Sequence, residues 1–120
     1  MASLQKRKIV LIVEDDGDVR LMLQEMLADD GYRVLCASNG QEALKVLAHV
    51  RPHLILLDLM MPILSGWEVM AAIGTDPLLT DIPVVVLSAY VDQAPQGVVC
   101  AVSKPIAIDE LRALVHQHCE

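Results

Sequence analysis

The sequence predicts an α/β fold, a doubly wound parallel sheet of five strands with helices on both faces. Three observations carry that prediction. Five short apolar runs recur along the 120 residues, they show no period-2 alternation, and stretches with helical apolar spacing separate them. Strands that are apolar throughout are buried on both sides, and helical crossovers are the usual cover for such a sheet.

Lys8 to Val13 reads as the first strand. Val19, Met22, Leu23, Met26 and Leu27 then recur at helical spacing until Gly31 offers a stop. Arg33 to Ala37 is a second strand, Asn39-Gly40 a turn, and Ala43, Leu44, Leu47 and Val50 the face of a second helix ended by Pro52. His53 to Asp58 is the third strand. Ser65-Gly66-Trp67-Glu68 has the S-x-x-E form of a capping box, in which the two side chains satisfy each other's backbone N–H groups; it opens a helix that Gly74 to Pro77 closes. Pro83 to Ser88 is the fourth strand and Val99 to Val102 a short fifth. Ile108 to His118, with Leu111, Leu114 and Val115 in register, is the last helix.

Composition narrows the function. With 54% hydrophobic and 21% charged residues, the chain can bury a core without disulfide or metal staples. Nine Lys+Arg against 16 Asp+Glu give a net charge of −7, which opposes attraction to phosphate backbones, so no direct nucleic-acid partner is expected. Lys6-Arg7-Lys8 reads as a solvated lead-in to the first strand. No apolar run approaches the roughly 20 residues that span a bilayer. The first residues also lack the apolar stretch of a signal peptide, so no membrane insertion and a cytoplasmic location are expected.

Cys36, Cys100 and Cys119 stand at no metal-ligand spacing and read as reduced, buried thiols. His49, His53, His116 and His118 read as surface or boundary residues away from the acids. No repeat or linker divides the chain, which is expected to be one domain over residues 1–120, core about 8–118, with no output domain.

In a doubly wound sheet the ligand site lies beyond the carboxyl ends of the strands. Those ends carry Glu14, Asp15 and Asp16 after the first strand, Asp58 after the third, Ser88 after the fourth and Lys104 after the fifth. Carboxylates gathered this closely repel one another unless a hard cation or the lysine intervenes, and all-oxygen ligation suits Mg²⁺ better than zinc. A metal beside a carboxylate, a hydroxyl and a lysine can accept a phosphoryl group, because that chemistry needs mainly positioning and neutralisation of oxygen charge; Asp58 is the candidate nucleophile. The Walker glycine loop, G-x-G-x-x-G and G-x-S-x-G are all missing, so nucleotide hydrolysis, dinucleotide binding and serine-hydrolase chemistry lack their usual loops.

Four stretches together carry a resemblance: Ile9 to Asp16 with Asp18-Val-Arg20, Leu56 to Pro62 with Ser65-Gly66, Val84 to Ala89, and Ser103-Lys-Pro105. In this order the sequence resembles the receiver domain of two-component response regulators, of the single-domain, chemotaxis-regulator-like kind. The resemblance implies a flavodoxin-like receiver fold with strand order 2-1-3-4-5. It implies that Asp58 is the phosphoacceptor, that Glu14, Asp15 and Asp58 hold Mg²⁺, and that the backbone carbonyl of Met60 supplies a further ligand. Ser88 would donate its hydroxyl to a phosphoryl oxygen beside the Ala89 backbone N–H, and Lys104, before a cis Pro105, would pair with another.

A sensor histidine kinase or histidine phosphotransfer protein would be the donor and a protein the downstream target. On this reading the chain is not an enzyme beyond catalysing its own phosphorylation and dephosphorylation. The alternative is a non-switching receiver-like module that binds a partner regardless of phosphorylation.

The sequence also departs from the family. Ser88 to Lys104 is several residues short, which leaves the fold's fourth helix short or missing, and Pro95 within that span predicts a loop or a single distorted turn. Ala101 stands where the family usually has an aromatic residue, so output is expected through another face or through ordering of the Asp92 to Gly97 loop. Met60 and Tyr90 occupy two positions that influence acyl-phosphate hydrolysis in the family. Neither can activate water, so slow hydrolysis is expected.

Overall fold

A computed structural model describes residues 7–119; Lys6 of the basic cluster lies outside them. Five parallel strands, β1 (Ile9–Val13), β2 (Arg33–Ala37), β3 (Leu54–Asp58), β4 (Val84–Ser88) and β5 (Cys100–Ser103), form one sheet of order β2-β1-β3-β4-β5. The α-helices are α1 (Gly17–Asp29), α2 (Gly40–Leu47), α3 (Gly66–Gly74) and α4 (Ile108–His118). Between β4 and β5 the chain makes one 3-10 turn, Val91–Gln93, the distorted turn that the short spacing and Pro95 predict.

All five residues of β3 and of β4 are buried, as unbroken apolar runs require when both faces are covered. Strand alternation divides the core in two. Val10, Ile12, Leu54, Leu56, Val85, Leu87 and Val102 pack with Leu23 and Leu27 of α1 and Leu111 and Val115 of α4. Leu11, Val13, Ile55, Leu57 and Val84 pack with Ala43 and Leu47 of α2 and Val69, Met70 and Ile73 of α3. Each large aliphatic side chain fully buried in these layers contributes about 1.5–3 kcal/mol.

The helices start where the sequence supplies caps. Asp16 Oδ1 accepts from Asp18 N (2.9 Å) and Val19 N (3.3 Å), and Asn39 accepts from Glu42 N (2.9 Å). The capping box at α3 is complete: Ser65 N donates to Glu68 Oε1 and Glu68 N to Ser65 Oγ. Gly66 is required there by crowding, since a Cβ on it would stand 2.4 Å from the Asp58 carbonyl oxygen.

Several expectations need correction. β1, β3 and β4 each begin one residue later than read, because Lys8, His53 and Pro83 precede the pairing registers, and Val50 lies beyond α2, which ends at Leu47 with Ala48 as its cap. β5 runs one residue later than the apolar stretch Val99 to Val102, because the ladder to β4 begins at Cys100 and ends with Ser103 opposite Ser88. Met22 is 40% exposed rather than part of the buried stripe of α1. All three cysteines are free thiols, but only Cys119 is buried; Cys36 and Cys100 lie on the edge strands β2 and β5 and are partly buried against the core.

Candidate functional site

Register alone brings the polar strand ends together. Val13 pairs with Leu57, so Glu14 arrives level with Asp58; Ser88 pairs with Ser103, so Lys104 follows at the same edge. Glu14, Asp58 and Lys104 continue the same alternation as Ile12, Leu56 and Val102, which places them on one side of the sheet. The result is a cavity of about 420 Å³ lined by Glu14, Asp15, Asp16, Asp58, Met60, Ser88, Ala89, Tyr90 and Lys104.

Carboxylate oxygens of Glu14, Asp15 and Asp58 lie within 4.8 Å of one another, with Glu14 and Asp58 buried and Asp15 exposed. Lys104 Nζ donates to Glu14 Oε1 at 2.7 Å and lies 3.5 Å from Asp58 Oδ1. Burial, hydrogen bonding with Glu14 and the Glu14 charge push the Asp58 carboxyl up to about 7, against the lowering influence of Lys104. Burial alone would lower the Lys104 ammonium, but the hydrogen bond to Glu14 and the Asp58 charge hold it above its ordinary value.

Three convergent carboxylates with one ammonium leave negative charge uncompensated in a partly dry pocket. An all-oxygen donor set of this kind fits a hard divalent cation.

Asp16 does not join the cluster. Its carboxylate caps α1 instead, which corrects the grouping of four strand-end acids into one set. Ser88 is buried and its Oγ accepts from Tyr90 N at 3.0 Å, leaving the hydroxyl proton to donate elsewhere. Met60 N lies 3.4 Å from Asp58 Oδ1 and its side chain is 55% exposed at the mouth. The Lys104–Pro105 peptide is cis.

The roles of two residues already present in the sequence motifs escaped the sequence reading. Arg20 Nη1 donates to the Glu14 carbonyl at 2.8 Å; its place four residues after the Asp16 cap, one turn into α1, was the available signal. Trp67 Nε1 donates to Gln93 O at 2.8 Å and ties the 3-10 turn to α3, a pairing with no sequence signature. The histidines all stand apart from this cavity; His53 Nδ1 accepts from Ile9 N at the opposite edge of the sheet. Among the described residues no helix is long and apolar enough to cross a membrane.

The family model described as "Response regulator receiver domain" matches residues 10–116. A probable transcriptional regulator ycf27 of Guillardia theta is 36% identical over 119 residues, covering 94% of this chain; the chain spans about half of that relative, 46% of its length. Among solved structures, the response regulator protein TrrA of Thermotoga maritima in complex with Mg²⁺-BeF is 32% identical, with a TM-score of 0.83, over 92% of this chain and 97% of that one. The chemotaxis response regulator CheY4 of Vibrio cholerae is 26% identical, with a TM-score of 0.83, over 93% and 98%.

Proposed function

The chain belongs to the response regulator receiver domain family, and from that membership we propose that it is a phosphorylation switch in which Asp58 accepts a phosphoryl group from a phosphohistidine. The observation that carries this reading is the joint placement of Asp58, two further carboxylates, Lys104 and Ser88 at one strand edge. TrrA, similar over nearly its whole length, was captured with Mg²⁺ and a beryllofluoride group. Glu14, Asp15 and Asp58 would hold Mg²⁺ here, with the Met60 carbonyl as a further donor. When bound, the ion neutralises phosphoryl oxygen charge and favours ionised Asp58.

An oxygen of the Asp58 carboxylate attacks phosphorus in line. The new P–O bond forms as the P–N bond of the donor breaks, and the imidazole keeps the electron pair and takes a proton from solvent. Lys104 turns from Glu14 toward a phosphoryl oxygen, and the Ser88 hydroxyl donates to another beside the Ala89 N–H. Moving Ser88 Oγ releases Tyr90 N, which couples the site to the turn Val91–Gln93. The donor is a sensor histidine kinase or a histidine phosphotransfer protein, the readout is a protein target, and the setting is the cytoplasm. The chain catalyses only its own modification and its reversal.

The test is incubation with acetyl phosphate and Mg²⁺ followed by intact-mass measurement. A gain of one phosphoryl group by the native chain and none by Asp58→Asn is expected; no gain, or a gain that survives the substitution, overturns the reading.

A further inference from the structure

We propose that Arg20 is a positioning residue for cation binding at the Glu14–Asp15–Asp58 site, acting through the main-chain carbonyl of Glu14. The inference rests on the function proposed above and adds a residue to it.

The segment Glu14–Asp16 leaves the sheet and must present two carboxylates in a fixed relation to Asp58. Its main chain is held at four points. Glu14 N donates to Ala37 O at 3.1 Å, Arg20 Nη1 to Glu14 O at 2.8 Å, Asp16 N to Glu14 Oε2 at 3.2 Å, and Arg20 N to Asp16 O at 2.9 Å. Arg20 thus supplies two of the four, one from its backbone and one from its side chain.

The side-chain bond fixes the peptide plane joining Glu14 to Asp15. That plane sets the direction in which the Asp15 side chain leaves the backbone, and Asp15 is the exposed member of the cluster. A peptide free to rotate would let Asp15 swing away from its two buried partners. Arg20 is half-buried, and its guanidinium lies back over Gly17, with Nη2 3.6 Å from where a Cβ would stand. Although Asp15, Asp16 and Asp18 are close in sequence, no carboxylate among the described residues forms an ion pair with it. Its hydrogen bond goes to main chain, which is what a clamp requires and a charge partner does not.

Charge and position predict opposite signs. If Arg20 acted only as a positive charge near a cation site, removing it would relieve repulsion and tighten Mg²⁺ binding. If it acts by fixing the peptide, removing it weakens binding, by about tenfold on the scale of residues that orient metal ligands.

The experiment is calorimetric titration of Mg²⁺ into the native chain, Arg20→Met and Arg20→Lys, each checked for folding by circular dichroism in EDTA. Arg20→Met is expected to raise the Mg²⁺ dissociation constant about tenfold, and Arg20→Lys, which keeps the charge but not the guanidinium fork, to raise it less. In acetyl phosphate assays the half-saturating Mg²⁺ concentration rises by the same factor, while the rate at saturating Mg²⁺ stays within about twofold. Should Arg20→Met fail to fold, Arg20→Lys carries the test alone. Binding as tight as native or tighter in the folded variants overturns the proposal and leaves the function standing. Failure of the native chain to bind Mg²⁺ overturns both.

Discussion

Lys104 Nζ lies 2.7 Å from Glu14 Oε1, closer than its 3.5 Å approach to Asp58, so the lysine's main partner in the resting site is a glutamate with no exposed surface. A fully buried carboxylate is tolerable only with such a partner, because an unpaired charge in a dry setting is costly. The pair therefore has two duties: it gives the buried Glu14 carboxyl a hydrogen-bonding partner, and it keeps Lys104 at the mouth of the site.

Lys104→Met should destabilise the Mg²⁺-free protein by about 2 kcal/mol, less than the ~3–5 kcal/mol for breaking a fully buried pair, since Lys104 is 27% exposed. Glu14→Gln in the same background should recover part of that loss. Urea unfolding of both single variants and the double variant in EDTA measures the coupling; additive effects would show that the two residues do not interact.

Acid should act on the opposite edge of the sheet. Burial, with the Lys8 and Arg51 charges, holds the His53 imidazole below its ordinary 6.5, and the bond from Ile9 N needs the Nδ1 lone pair of the neutral ring. The unfolded chain thus takes up this proton at higher pH than the folded one. The stabilisation is full above pH 6.5 and is lost as pH falls through the depressed value. An NMR titration should place His53 below its ordinary 6.5, and His53→Gln should flatten the acid limb of stability against pH.

Gly66→Ala should damage stability and site together. The added carbon would stand 2.4 Å from the Asp58 carbonyl oxygen and 2.7 Å from Leu59 Cα, both backbone atoms that cannot move aside cheaply. A cost of about 1–3 kcal/mol is expected from overpacking, together with slower phosphoryl uptake as the Asp58 backbone shifts. Thermal unfolding and acetyl phosphate kinetics on one preparation check both; Gly74→Ala, which meets nothing within 4 Å, is the control.

Phosphorylated Asp58 should hydrolyse slowly. Met60 and Tyr90, 55% and 47% exposed, flank the cavity and offer no base to orient water. The decay of the phosphorylated mass after removal of acetyl phosphate measures it. Met60→Glu should hasten that decay.

The strands and the helix caps were legible because each rests on local chemistry. Unbroken apolar runs announced β3 and β4, and Ser65 with Glu68 announced the start of α3. Strand order was not, since periodicity shows that strands are buried and not which neighbour each one meets; it came from the family resemblance.

The one-residue shift of β5 concerns its ends: Val99 N donates to Val84 O at 2.9 Å, but residue-to-residue pairing with β4 runs from Cys100 to the polar Ser103, which an apolar run does not mark. The apolar runs around Cys36 and Cys100 read as buried because periodicity does not mark edges, although the strand order that the resemblance implies already places β2 and β5 there. At the site, Glu14, Asp15, Asp58, Ser88 and Lys104 were readable as strand ends. The diversion of Asp16 to a helix cap and the clamp from Arg20 depend on three-dimensional hydrogen bonding across the loop.

Trp67 is the single tryptophan of a chain without phenylalanine, and its indole N–H is bonded to the turn between β4 and β5. Excited to the red of the two tyrosines, its emission comes from one residue, bonded to the segment that Tyr90 N joins to Ser88. The protein carries its own optical gauge of that segment, readable in a stopped-flow cuvette without labelling.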